Sequence, residues 1–193
     1  SGFQCVPQVV PSAPLAIVLY YLDCATPIVS SIVPTDITLV TPITISGRGF
    51  SSNPSDNVVT FGGYACLVAN SSESQVVCSF GNAHPPSFTP LPLAMNIRGL
   101  GNASVQANAP DVVLRPYVSS VFPVQGSTAG GTLVTITGEG LSVANVSVRI
   151  GGSNCTVVSQ SYQSITCTTA LYQGGPVAKS IVLLYSSLST ITS

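Results

Sequence analysis

Hydrophobic and polar positions alternate along this chain in short runs. In Val146-Ser-Val-Arg-Ile150, the residues Val146, Val148 and Ile150 fall on one face of an extended chain, and Ser147 and Arg149 fall on the other. That is the two-residue period of a strand with one face in a core and one in water. The β-branched and aromatic runs Val118–Phe122, Leu133–Thr137 and Ile181–Tyr185 are bounded by clusters of Gly, Pro, Asn and Ser, and so read as strands ended by turns. No segment keeps apolar residues at i, i+3, i+4 and i+7 over three turns, so helix content is expected near zero. The fold class is all-β, and short strands with frequent turns favour a sandwich.

The pattern occurs twice. Pro27-Ile-Val-Ser-Ser-Ile-Val-Pro34 recurs as Pro116-Tyr-Val-Ser-Ser-Val-Phe-Pro123, 89 positions on. Pro42-Ile-Thr-Ile-Ser-Gly-Arg-Gly-Phe50 recurs as Leu133-Val-Thr-Ile-Thr-Gly-Glu-Gly-Leu141, 91 positions on, after a two-residue insertion near Gly130–Gly131. Phe61-Gly62-Gly63 with Cys66 then recurs as Ile150-Gly151-Gly152 with Cys155, back at 89. A repeat of this length is a domain repeat. It predicts an N-terminal segment, residues 1–26, followed by two sandwiches, residues 27–115 and 116–193.

Composition narrows the setting. Charged residues make up 6% of the chain, with five Lys and Arg against six Asp and Glu. That leaves no basic face for phosphates and argues against a nucleic-acid partner. No apolar stretch approaches the roughly 20 residues that a membrane-spanning helix needs. Four Asn-x-Ser/Thr sequons, at Asn70, Asn102, Asn145 and Asn154, predict covalent N-linked glycans; Asn53 is disqualified by Pro54. Of the six cysteines, Cys66 and Cys78 share a twelve-residue spacing with Cys155 and Cys167, a regularity that points to two disulfides and an oxidising, extracellular compartment. Zinc is disfavoured, because His84 is the one histidine and has no ligand-spaced partner. The chain begins at Ser1 without Met or a charged leader, as expected of a secreted chain whose signal peptide has been removed. No cofactor is expected.

Catalysis finds no support. One histidine and six carboxylates (Asp23, Asp36, Asp56, Glu73, Asp111, Glu139) are scattered among different turns, with no arrangement for paired acid–base work. Gly47-Arg48-Gly49 and Gly138-Glu139-Gly140 are expected to end strands, whereas a phosphate loop links a strand to a helix.

The order Pro-x-Val-x-x-Val-x-Pro, then Gly130-Gly-Thr-Leu-Val-Thr-Ile-Thr-Gly-Glu-Gly-Leu141, then a strand ending in Gly-Gly, then paired Cys, resembles the IPT/TIG domain of plexins and related ectodomains. The second copy carries the whole motif, whereas the first has Val40 and Thr41 where Gly-Gly would stand. The resemblance covers residues 27–193 and implies immunoglobulin-like sandwiches that bind and carry no catalytic site.

Two assembly features follow from the repeat register. Setting Leu93–Arg98 against Ser180–Tyr185, 87 positions on, puts Ser193 opposite Gln106. On that alignment the second sandwich lacks a counterpart of Ala107–Leu114 and with it the last strand. The N-terminal segment carries an orphan strand, Leu15-Ala-Ile-Val-Leu-Tyr-Tyr-Leu22, with Leu15, Ile17 and Leu19 on one face and Ala16, Val18 and Tyr20 on the other. A strand that is apolar on both faces favours burial. The leading expectation is head-to-tail self-assembly into a glycosylated filament, in which Leu15–Leu22 of one subunit enters the second sandwich of the next beside Ile181, Leu183 and Tyr185. Cys5 and Cys24 bracket that strand, and a bond between them within one chain is favoured over bonds between chains. The alternative is a segment of a longer tandem receptor or adhesion ectodomain that binds protein or glycan ligands.

Overall fold

A computed structural model describes residues 26–142, 146–174, 178–185 and 189–192. The first repeat contributes β1 (Ile28–Val33), β2 (Asp36–Ile37), β3 (Ile43–Arg48), β4 (Asn57–Phe61), β5 (Tyr64–Ser71), β6 (Gln75–Ser79), β7 (Pro90–Leu91), β8 (Leu93–Ile97), β9 (Gly101–Asn102), β10 (Ser104–Val105) and β11 (Val112–Leu114). The second contributes β12 (Tyr117–Phe122), β13 (Leu133–Glu139), β14 (Val146–Ile150), β15 (Ser153–Gln160), β16 (Ser164–Thr169), β17 (Ile181–Tyr185) and β18 (Ser189–Thr192). One 3-10 turn, Pro54–Asp56, is the sole helical element among the described residues, and the Asn53 side chain caps it by accepting from the Ser55 amide. The fold is all-β, as the alternation and the repeat predict, and immunoglobulin-like, as the resemblance implies.

The chain divides into two compact units that do not follow the repeat boundary. Among the described residues, Thr35–Thr41, Phe80–Leu91 and those from Val112 on form the second, and the others form the first.

In the first unit the strand order is β10-β1-β3-β6-β5-β4-β8-β9. Strand β5 changes partner along its length. Tyr64–Cys66 pair with β4, and Leu67–Ser71 pair with β6 past an irregularity between Val68 and Asn70. The alternation holds on β4, where Asn57, Val59 and Phe61 are buried and Val58 is exposed. Burial of the Asn57 amide is matched by hydrogen bonds: its Nδ2 donates to the carbonyls of Ser51 (2.8 Å) and Asn53 (3.2 Å), and its Oδ1 accepts from the Ser51 amide (3.0 Å).

The second unit holds the three-stranded sheet β2-β11-β7 and the seven-stranded sheet β12-β13-β16-β15-β14-β17-β18. Its core gathers Val134, Ile136, Leu141, Val148, Ile165, Leu183 and Tyr185 around Cys155 and Cys167.

The Gly-x-Gly motif has a steric reason in both repeats. Val29 pairs with Gly47 and Val118 with Gly138, each beside a bulge in the outer strand. A Cβ on Gly47 would run into the carbonyl oxygen of Ile28, and one on Gly138 into that of Tyr117. The second glycine of each motif, Gly49 (φ 76°) or Gly140 (φ 72°), turns the chain in the left-handed region. The first glycine therefore lies inside β3 or β13, and the turn begins at the second.

Strand pairing also shifts the repeat alignment. Phe61 pairs with Leu93, and its counterpart Ile150 pairs with Ile181. The offset at these strands is therefore 88, not the 87 read from sequence. A one-residue slip exchanges the two faces of a strand. Leu183 thus takes the place of Met95, Tyr185 that of Ile97, and both are buried. On this register the counterpart of Ser193 is Val105. Strand β18 continues the ladder on β17 as β9 does on β8. Nor does Ala107–Leu114 extend the large sheet of the first repeat. A turn closed by the Ala109 amide on the Gln106 carbonyl (2.9 Å) interrupts it, and Val112–Leu114 then lies between β2 and β7.

Gly138→Ala forces the Tyr117 carbonyl to move, and a misfit of this kind costs about 1–3 kcal/mol. Urea unfolding of the variant is expected to show that loss at an unchanged m-value.

Candidate functional site

The second unit has an open end. After β12 the chain crosses the cis Phe122–Pro123 peptide and runs through Val124–Thr128. The Tyr172 amide donates to the Thr128 carbonyl (2.8 Å) and the Gly131 amide to the Thr169 carbonyl (2.8 Å), which ties this segment to the chain after β16. Across from it, the Gly151 amide donates to the Ser180 carbonyl (3.1 Å), and the Lys179 ammonium stands 5.0 Å from the centre of the Tyr172 ring. Between these segments lies a cleft of about 730 Å³. Val121, Val134, Ile150 and Ile181 form its apolar part; Gln125, Ser127, Thr128, Ser153 and Asn154 supply hydroxyls and amides. Lys179 is the one charged side chain that lines it. Such a surface can bury apolar groups and hydrogen-bond to a ligand. It brings no acid–base pair together, and no group of three His, Cys, Asp or Glu side chains suited to a metal occurs among the described residues.

Several apolar residues of the same segments are exposed. Phe122 is 76% and Val124 87% accessible, and Leu133 and Leu171 are exposed as well. Each is a sequence neighbour of a cleft-lining residue or lines the cleft itself.

The residues singled out from sequence are distributed as follows. Cys66 bonds to Cys78 and Cys155 to Cys167, with Cα separations of 5.5 and 5.4 Å. Asn70 on β5, Asn102 on β9 and Asn154 on β15 are exposed, and Asn154 borders the cleft. Ile181 is half-buried in the cleft, and Leu183 and Tyr185 belong to the core. Cys5, Cys24, Asn145 and the strand Leu15, Ala16, Ile17, Val18, Leu19, Tyr20 and Leu22 lie outside the described residues. His84 is exposed and its ring stacks on Tyr162 at 4.4 Å. The carboxylates stay scattered: Asp36 pairs with Arg115 (2.9 Å), Asp56 with Arg98 (4.0 Å), and Glu139 accepts from Gln163 (3.2 Å).

The cleft was not anticipated. Its signal lies in a position-by-position comparison of the repeats. Ile37, Phe80 and Leu91 are buried, and their counterparts at offsets of 89, 89 and 88 are Gly126, Thr169 and Lys179. The second repeat has lost bulk at one end.

Tyr185 presents a separate feature of the core. Its hydroxyl has no hydrogen-bond partner among the described residues, and desolvation by burial pushes its pKa up to about 12 from 10.0. A phenol whose folded pKa is raised contributes stability that is complete below pH 10 and is lost as pH rises toward 12. Tyr185→Phe removes an unpaired buried hydroxyl. It is expected to leave stability at pH 7 unchanged or higher and to flatten its decline between pH 10 and 12, as measured by denaturant titration against the parent chain.

The IPT/TIG domain family matches residues 27–109 and 116–192. The chain is 35% identical over 170 residues to Fibrocystin-L of Homo sapiens, a match that spans 83% of this chain and 4% of that protein. Fibrocystin-L of Mus musculus is 35% identical over 169 residues, spanning 84% of this chain and 4% of the relative. The chain is thus equivalent to a small part of these relatives. Among solved structures, the plexin A4 extracellular region aligns over 88% of this chain and 18% of its own, with a TM-score of 0.41 and 23% identity. The surface glycan-binding protein PbSGBP-B from Prevotella bryantii aligns over 87% of this chain and 41% of its own, with a TM-score of 0.43 and 18% identity. With both repeats matched nearly end to end, the chain belongs to the IPT/TIG domain family.

Proposed function

We propose that the chain is a ligand-binding segment of an extracellular, multidomain IPT/TIG ectodomain of receptor or adhesion type, with a protein or glycan as ligand. The observation that carries this reading is the open cleft of the second unit, where Val121, Val134, Ile150 and Ile181 and the exposed Val124 stand beside the hydroxyls and amides of Gln125, Ser127, Thr128, Ser153 and Asn154. A concavity that combines apolar lining with hydrogen-bonding groups marks a binding surface. Two disulfides support an oxidising compartment. The far greater length of the fibrocystin-L relatives fits a segment of a larger protein. Head-to-tail polymerisation through Leu15–Leu22 draws no support from the family match or the relatives.

Binding can be tested with the chain displayed as a multivalent fusion and screened against arrays of extracellular proteins and glycans. The expected result is saturable binding that Val124→Asp and Lys179→Glu weaken at least tenfold while the thermal midpoint stays put. Saturable binding that neither substitution touches would place the ligand site elsewhere, and no binding on either array would contradict the reading.

Exposure of Asn70, Asn102 and Asn154 makes all three available for N-glycosylation. In a secreting eukaryotic host, Asn→Gln at each position should remove one glycan-sized increment of mass, read by intact-protein mass spectrometry before and after amidase treatment.

A further inference from the structure

Asn154 differs from the other sequon asparagines in what its sequon is built into. The middle residue is Cys155, whereas Ser71, Ala103 and Val146 stand there in the others. Cys155 is buried and bonded to Cys167. Strand β15 lies between β14 and β16, so the sequon is held from both sides. Cys155 stands opposite Val148 on β14 and Thr169 on β16, Thr156 stands opposite Thr168, and the Asn154 carbonyl accepts from the Ala170 amide (3.1 Å). The side chains of Asn154 and Thr156 are themselves exposed. Asn102 presents the contrast. It ends β9, an outermost strand paired with β8, and no cysteine stands between Cys78 and Cys155.

The chemistries of Asn154 and Cys155 exclude one another in one order only. Transfer of an N-glycan joins the Asn154 Nδ2 to the first sugar of a lipid-diphosphate-linked oligosaccharide and releases the lipid diphosphate and a proton. The acceptor must be a free, loop-like segment. Oxidation joins the two sulfurs, and two electrons and two protons pass to the disulfide of an oxidoreductase in the same compartment. Once that bond is made, it and the two ladders keep the sequon extended in the middle of a sheet, where a transferase cannot take it. The reverse order is open. Asn154 faces solvent on the side of β15 opposite the buried Cys155, so a glycan already attached leaves the ladders and the bond intact. The timing is close. The cysteines are separated by 12 positions, which is roughly 1–2 s of synthesis, and disulfides form on timescales of seconds upward.

We propose that glycosylation of Asn154 competes kinetically with the Cys155–Cys167 disulfide, so that the oxidising strength of the secretory compartment sets the fraction of chains that carry this glycan. Two forms of one fold result, the first bearing sugar at Asn154 and the second bare there. Asn154 lines the cleft, so the ratio of the two forms regulates access to that surface. This consequence rests on the proposed function, whereas the competition rests only on passage through a compartment where glycans are added. The first repeat carries the same disulfide without the sequon. Ala65 and Leu67 flank Cys66 there, as Asn154 and Thr156 flank Cys155, and both are exposed.

The test expresses the full chain in a secreting eukaryotic host, with and without dithiothreitol during synthesis, and reads occupancy at each site by mass spectrometry after amidase release in heavy-oxygen water. In the parent chain Asn154 is expected to be filled on only part of the molecules, and Asn102 at a level that dithiothreitol leaves alone. Dithiothreitol should bring Asn154 to nearly complete occupancy. Cys167→Ser, which keeps the sequon and removes the bond, should do the same in both cell-retained and secreted chain. Ala65→Asn combined with Leu67→Thr should carry the dithiothreitol-dependent partial occupancy to the first repeat, with every cysteine in place. An Asn154 that is complete in the parent chain, or that neither dithiothreitol nor Cys167→Ser moves, would overturn the proposal, as would an equal rise at Asn102. Asn70, Asn102 and Asn154 bare in every sample would contradict the extracellular reading as well. Equal ligand binding by the filled and bare forms would overturn the consequence at the cleft and not the competition.

Discussion

Pairing register is the constraint on which the rest of this structure depends. Side chains on a strand alternate between core and solvent, so a slip of one residue exchanges the two sets. Here the register of the outer strand is held where a backbone carbonyl occupies the space of a missing Cβ, at Gly47 in one repeat and at Gly138 in the other. From that point the ladders place Ile45 and Ile136 in their cores. The disulfides then join the bent strands β5 and β15 to their neighbours β6 and β16. A chain with so few charges has little electrostatic means of specifying its fold; apolar alternation, glycine sterics and two covalent links supply it.

Much of this was legible in the sequence, because period-two alternation and an internal repeat both survive without any three-dimensional information. Val146, Val148 and Ile150 announced a strand, and the shared spacing of Cys66–Cys78 and Cys155–Cys167 announced two bonds that the structure contains. Alignment at β17 was harder. Ile181-Val-Leu-Leu-Tyr185 is apolar throughout, so either face could have been inward, and only the pairing of Ile181 with Ile150 decided it. That decision placed Leu183 and Tyr185 in the core.

The cleft was hidden for a different reason. It is defined by what the second repeat has lost relative to the first, and a motif search reads what two copies share. Gly126, Thr169 and Lys179 are unremarkable residues in a turn-rich chain. They acquire meaning only when set against the buried Ile37, Phe80 and Leu91. The strand Val112–Leu114 posed a related difficulty. It was expected to finish a sandwich, and it forms a strand in the small sheet with β2 and β7, beyond the turn at Gln106–Ala109.

The functional account rests on the open cleft of the second unit, at positions such as Val121 whose counterparts in the first repeat, such as Ile32, are buried. Thiol-labelling kinetics at a matched pair test it most directly, with cysteine introduced at Ile32 in one variant and at Val121 in another, disulfides intact. The account predicts that Val121→Cys labels within a few orders of magnitude of a free thiol, whereas Ile32→Cys labels only as fast as the chain unfolds. Equal protection at the two positions would contradict it.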